Sequence, residues 1–157
     1  AIDTETMGLN PCRDRLCLVQ LSGGNGEAHL VQIAKDRQPA PNLCRLLEDE
    51  SVTKIFHFAR FDIAALYSAF GVLCQPVFCT KVASRLVRTY TDKHGLKELC
   101  KELLGIDISK AQQSSDWGAF ELTAEQQLYA ASDVLYLHEM KGILETRLAR
   151  EERAQFA

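Results

Sequence analysis

The chain opens with three short segments, at 1–6, 16–22 and 27–33, that read as strands, and their spacing limits the fold more than any other feature. Leu16-Cys17-Leu18-Val19-Gln20-Leu21 is nearly continuously apolar, and Ser22-Gly23-Gly24-Asn25-Gly26 supplies a turn before the third run. Such runs predict three strands in a meander. The pattern then changes. Pro39 and Pro41 precede Asn42, a cap for a short helix through Leu43, Leu46 and Leu47. A strand at 53–58 runs into a helix bearing Phe61, Ala64, Ala65, Tyr67, Ser68 and Phe70, which Gly71 stops. A short strand at 77–79 and helical patterns at 80–89 and 95–104 follow. The stretch 105–122 reads as a broken loop, and Thr123 with Gln126 forms a capping box for one last long helix. The order predicts an α/β fold: a mixed central sheet, three strands of it a meander, flanked by helices.

With 157 residues, 46% of them hydrophobic and 25% charged, a single domain over 1–157 is expected. Only two residues precede Asp3, a short run-in for a strand of about 5–6 residues, so the amino end is expected to be trimmed. There is no 18-residue apolar run and no basic-then-apolar leader, so no membrane span or signal peptide is expected. The six cysteines show no C-x-x-C pair. They read as reduced thiols in a cytoplasmic protein, not as a zinc site or a disulfide framework. A net charge of -3 argues against a broad phosphate-tracking surface. Cations bound at an acidic site would offset that charge, so nucleic acid is not excluded. Arg147 to Arg153, with mixed charges, reads as the end of a solvated helix.

Four carboxylates lie in three separated patches: Asp3 and Glu5 in Ile2-Asp3-Thr4-Glu5-Thr6, Asp62 in His57-Phe58-Ala59-Arg60-Phe61-Asp62, and Asp133 in Tyr129-Ala130-Ala131-Ser132-Asp133. Residues two apart on a strand share a face, so Asp3 and Glu5 stand side by side. Tyr129 and Asp133, four apart on a helix, share a face about 6 Å apart along the axis. Collecting four acids at one place is costly, since like charges at about 4 Å repel by roughly 4 kcal/mol at a protein-surface dielectric. Two divalent cations, Mg²⁺ or Mn²⁺, would remove that penalty and create a site for phosphodiester chemistry.

These residues resemble the tyrosine-type branch of the DEDD 3′-to-5′ exonucleases, with ribonuclease D the nearest broad group. The histidine-type branch places His five residues before the last Asp, where this chain has Leu128. Lys110, Gln113 and Ser115-Asp116-Trp117 look like a Lys-x-x-Gln-x-Ser-Asp-Trp segment of ribonuclease-D-like proteins. Asp3-Thr4-Glu5-Thr6-Met7-Gly8-Leu9, Phe78-Cys79-Thr80-Lys81 and Thr89-Tyr90-Thr91-Asp92-Lys93-His94-Gly95-Leu96-Lys97 are similar to a compact bacterial group, nanoRNase C.

The resemblance implies a ribonuclease-H-like fold and a metal-dependent exoribonuclease that cuts short single-stranded RNA, down to dinucleotides, to nucleoside 5′-monophosphates. It implies that Asp3 bridges both ions, that Glu5 and Asp62 complete the ligand sets, that Asp133 holds the nucleophile-side ion and that Tyr129 orients the attacking water. It further implies a homo-oligomer, and no helical RNA-binding domain of the ribonuclease D kind is expected. Two other readings stay open: a general exonuclease on longer RNA or DNA, and a catalytically silent binding or scaffold subunit.

Candidate substrate contacts each have a plainer alternative. Met7 and Leu9 could wedge against terminal bases, the role the resemblance implies for a leucine in this loop, or simply pack the loop. His57 could touch substrate or be a hydrogen-bonded buried residue, and Phe58 stands where many relatives have Asn. Lys81, Arg85 and Arg88 could guide phosphates, although a solvated face is the commoner meaning of such a stripe. Lys110, Gln113 and Trp117 could frame the pocket, meet a neighbour or pack structurally.

Overall fold

Strands β1 (Ile2–Thr6), β2 (Leu16–Leu21) and β3 (His29–Gln32) form the antiparallel meander in that order, in a computed structural model that describes residues 1–36 and 39–156. The middle strand is buried from Leu16 to Gln20, which accounts for its unbroken apolar run. The β1–β2 register slips between Glu5 and Thr6. The extra residue on β2 puts Cys17 and Leu18 into the apolar cluster of Trp117 and Ala130, while Leu16 and Val19 join the one around Phe56 and Leu66.

Helix α1 (Pro41–Glu48) leads to β4 (Lys54–Phe56), which pairs in parallel with β5 (Val77–Cys79) through the crossover helix α2 (Ala59–Phe70). The antiparallel and parallel ladders are hydrogen-bonded separately, with β1 lying beside β4, and helices cover them to give a mixed α/β fold. Asn42 is not the cap of α1. Pro41 takes the first helical position after Ala40, as its fixed φ favours, and Asn42 Oδ1 accepts from Arg45 Nη2 at 2.7 Å. The strand predicted to reach residue 58 ends at Phe56 because Phe58 turns into the left-handed region, at φ 70°, and begins α2. Gly71, at φ 72°, closes that helix as expected, its N–H donating to Tyr67 O.

Helix α3 (Thr80–Val87) follows β5 directly, and α4 (Leu96–Leu99) runs on as a π-helical turn, Cys100–Leu104. The Thr123–Gln126 capping box forms in both directions and opens α5 (Ala124–Leu135). The single long helix expected beyond it is two. Tyr136 breaks it before α6 (Leu137–Arg150), and the break lets α5 pack on the meander while α6 packs on α3 and β4. Beyond Arg150 the chain does not continue as a solvated helix: Arg153 folds back and donates to Leu86 O at the end of α3.

Arg88 overturns the solvated-stripe expectation for its position. Its side chain is 1% exposed; it pairs with Glu102 and donates to Ser84 Oγ at 2.9 Å and Lys93 O at 2.7 Å. Four hydrogen bonds from one planar guanidinium, to three partner residues, tie α3, the 88–95 loop and the π-helical turn together. Among the described residues no helix is long and apolar enough to cross a membrane, and all six cysteines are free.

Candidate active site

A cleft of about 600 Å³ opens where β1, the start of α2 and the middle of α5 meet, and Asp3, Glu5, Asp62, Tyr129 and Asp133 all line it. Carboxylate oxygens of Asp3, Glu5 and Asp133 lie within 4.8 Å of one another. Asp62 stands just outside this trio. Thr4 Oγ1 donates to its Oδ1 at 2.6 Å, and its charge is the strongest of those acting on Asp3. Three chain segments separated by more than fifty residues thus deliver their acids to one floor.

Among the described residues no Lys or Arg lines the cleft beside them. Burial, followed by repulsion from Asp62, Asp133 and Glu5, holds the Asp3 carboxyl well above the usual carboxylate range. Burial and then the neighbouring acids push Glu5 up to about 8, and burial raises Asp62 and Asp133 to about 7 each. The hydrogen bond from Thr4 opposes the rise at Asp62, and Tyr129 opposes it at Asp133. Tyr129 itself is raised above its ordinary value by burial and by Asp133, Glu5 and Asp3, so its hydroxyl keeps its proton. A set of hard oxygen donors whose ionisation is unfavourable without a cation fits Mg²⁺ or Mn²⁺.

The walls are set by packing. Trp117 is buried, its ring 5.9 Å from that of Tyr129 and tilted by 36°, so it fixes the tyrosine while lining the cleft. Gln113 lines the cleft too. Lys110 does not: it is exposed and its ammonium sits 3.6 Å from Glu98.

His57 lines the cleft and is also the hydrogen-bonded, half-buried residue of the plainer reading. Its Nδ1 is 2.9 Å from Thr80 Oγ1, whose own proton goes to Phe56 O. Burial, with Lys81 next, lowers His57 to about 4, so the ring is neutral near pH 7. Met7 and Leu9 do not close the core: they are 53% and 86% exposed at the cleft rim. The loop that carries them is ordered internally, with Met7 N–H donating to Arg15 O at 3.0 Å and Asp14 N–H to Asn10 O at 2.7 Å. A β-carbon at Gly118 would lie 2.5 Å from Met7 Sδ, so that glycine makes room for the methionine.

Two contributors escaped the sequence reading. Thr4, between the first two acids, reaches Asp62. Gln20, the lone polar residue within the apolar β2 run, is fully buried and donates from Nε2 to Asp3 Oδ2 at 3.3 Å. A polar side chain in an otherwise apolar central strand was the available signal, since buried polar groups need partners. Phe58 was noted only as a departure; its left-handed backbone costs a residue other than glycine roughly 1–2 kcal/mol.

A mixed α/β scaffold with four converging carboxylates and a tyrosine defines the class: residues 1–149 match the model of the 3′-5′ exonuclease family, and the chain belongs to it. Within that family its sequence is 39% identical to the ribonuclease D of Acidiphilium cryptum (strain JF-5) over 152 residues, covering 97% of this chain and 38% of that protein. The chain therefore spans well under half the length of the curated relatives it matches. The structure is similar to Brucella melitensis NrnC bound to pGG, at 62% identity and a TM-score of 0.95, covering 98% of this chain and 74% of that one. It is also similar to Brucella melitensis NrnC with bound Mg²⁺, at 61% identity and a TM-score of 0.94, covering 98% and 75%.

Proposed function

We propose that this chain hydrolyses short RNA from its 3′ end, down to dinucleotides, and releases nucleoside 5′-monophosphates. The observation that carries the reading is the convergence of Asp3, Glu5 and Asp133 oxygens within 4.8 Å, beside Asp62 and Tyr129. Similarity to a nuclease solved with pGG and with Mg²⁺ supports the short-RNA substrate and the cation. A cleft of about 600 Å³ also suits a small ligand better than a long duplex.

Asp3, Glu5, Asp62 and Asp133 would hold two divalent cations. When bound, such ions neutralise the phosphoryl oxygens and the leaving 3′-oxygen and make water a better nucleophile. The protonated Tyr129 hydroxyl orients the attacking water beside Asp133, Thr4 fixes the Asp62 carboxylate, and Trp117 fixes the tyrosine ring. The water oxygen bonds to phosphorus as the bond to the 3′-oxygen breaks; the proton given up by the water is balanced by one taken up at that 3′-oxygen, so the shortened RNA leaves with a 3′-hydroxyl and the terminal nucleoside with its 5′-phosphate.

The deciding experiment incubates the protein with Mg²⁺ or Mn²⁺ and 5′-labelled RNAs of about 2, 7 and 20 nucleotides, lengths chosen around what such a cleft holds, with matched DNAs and an Asp133→Ala control. Cleavage of the dimer that depends on Asp133 supports the reading. Even processing of all lengths would favour a general exonuclease, and no cleavage would favour a silent scaffold. The same proposal includes assembly into a homo-oligomer, which sizing in solution tests, and action in the cytoplasm, which suits six free thiols.

A further inference from the structure

We infer that Phe58 and Lys81 form a nucleobase-stacking subsite on the cleft wall, which takes a base next to the scissile phosphate of single-stranded RNA. The inference rests on the hydrolase reading and adds to it the residues that grip the substrate.

No Lys or Arg is among the described residues lining the cleft, whose floor is acidic. His57 is neutral there. Affinity for an anionic substrate must therefore come from bound cations and from surfaces that take bases, which stack on aromatic faces whatever their identity. Phe58 supplies such a surface. It caps α2 four residues before Asp62, so its position is fixed about one helical turn from an acid of the floor. Phe58 is 48% exposed and lines the cleft instead of entering the core.

Its backbone supports the same conclusion. At φ 70° and ψ 44° the position favours glycine or asparagine, and a large aromatic there is strained. Strain of this kind is typically kept where the side chain has a task. Lys81, one residue into α3, places Nζ 4.1 Å from the ring centroid, and no carboxylate of the described residues lies within ion-pair distance of it. The ammonium lies over the ring of a residue that stays about half exposed, and a cation so placed can reinforce stacking of a base on that ring. It also brings positive charge near the phosphates without placing it among the acids.

The test compares wild-type protein with Phe58→Asn, which removes the ring and suits the left-handed backbone, and with Phe58→Tyr, which keeps a ring. Binding of a dinucleotide carrying 2-aminopurine, and of its abasic counterpart, is read by fluorescence in an Asp133→Asn background so that nothing is cleaved. Phe58→Asn should weaken binding of the base-bearing RNA about 5- to 150-fold, the usual worth of one base–aromatic stack, and abolish the quenching of 2-aminopurine. It should leave the abasic RNA unaffected, and Phe58→Tyr should behave as wild type. Equal losses on both RNAs, or unchanged quenching, would overturn the subsite. Thermal melting of Phe58→Asn at or above wild type excludes misfolding as the cause. If the active protein cleaves no RNA, the hydrolase reading fails independently, because the binding ratio is measured without turnover.

Discussion

Gln20 stands directly opposite Asp3 across the β1–β2 ladder, and its amide nitrogen donates to the Asp3 carboxylate at 3.3 Å. The orientation follows from chemistry, since a reversed amide would set oxygen against oxygen. Its own oxygen is buried without a hydrogen-bond partner, so Gln20 is kept for the carboxylate it steadies and not for the stability it adds. Gln20→Leu should leave the melting temperature unchanged or higher while raising the Mg²⁺ concentration for half-maximal cleavage about 3- to 10-fold, the worth of one such bond. Metal titration of activity together with thermal melting separates the two effects.

The acids make the cation-free protein pH-sensitive, with a definite sign. Glu5 is held at about 8 and Asp62 and Asp133 at about 7, all above their ordinary values near 4. Between those limits the folded state binds more protons than the unfolded chain, so stability falls as pH rises. In a chelator the melting temperature should decline from about pH 5 to pH 8, and millimolar Mg²⁺ should flatten the decline by binding only the folded state. A melting temperature that rises over this interval without metal would contradict the electrostatic account.

Asp133→Asn removes one charge from the repelling group without changing its shape. Cleavage should drop by about 10²- to 10³-fold, the range found when charge-stabilising groups are removed. The cation-free variant should melt higher than wild type at pH 8, because one unfavourable ionisation is gone. Calorimetric Mg²⁺ binding weakened in parallel would place the loss at the cation site.

Tyr129→Phe keeps the ring that packs on Trp117 and deletes the hydroxyl. The fold and Mg²⁺ affinity should survive, while kcat falls about 10²- to 10⁴-fold with KM little changed, as for a group that orients the nucleophile. Since Tyr129 is pushed above its ordinary value near 10, wild-type rates should show no alkaline loss from tyrosine ionisation below about pH 10.

Much of the site was legible because its acids obey local periodicities. Two residues apart on β1 and four apart on α5 are spacings that a strand and a helix translate into shared faces, and Thr123 with Gln126 announces where α5 begins. The parts that were not legible depend on contacts distant in sequence. Arg88 looked like a surface stripe with Lys81 and Arg85, yet Glu102, fourteen residues on, makes its burial tolerable. The break at Tyr136 carries no glycine or proline, and Leu135 and Leu137 keep the apolar pattern running across it. Lys110 belongs to a recognisable segment, yet of its possible roles the pocket-framing one does not appear: it pairs with Glu98 outside the cleft lining.

The first and last carboxylates stand at opposite ends of the fold's chain order, Asp3 on the opening strand and Asp133 on the helix laid against that sheet. The site therefore belongs to the slow, long-range class of contacts, which form only after a wide loop has closed. During synthesis the chain emerges amino end first, so Asp3, Glu5 and Asp62 appear well before the helix that completes them. A growing chain on the ribosome thus lacks the complete acid cluster until α5 has emerged and docked on the sheet.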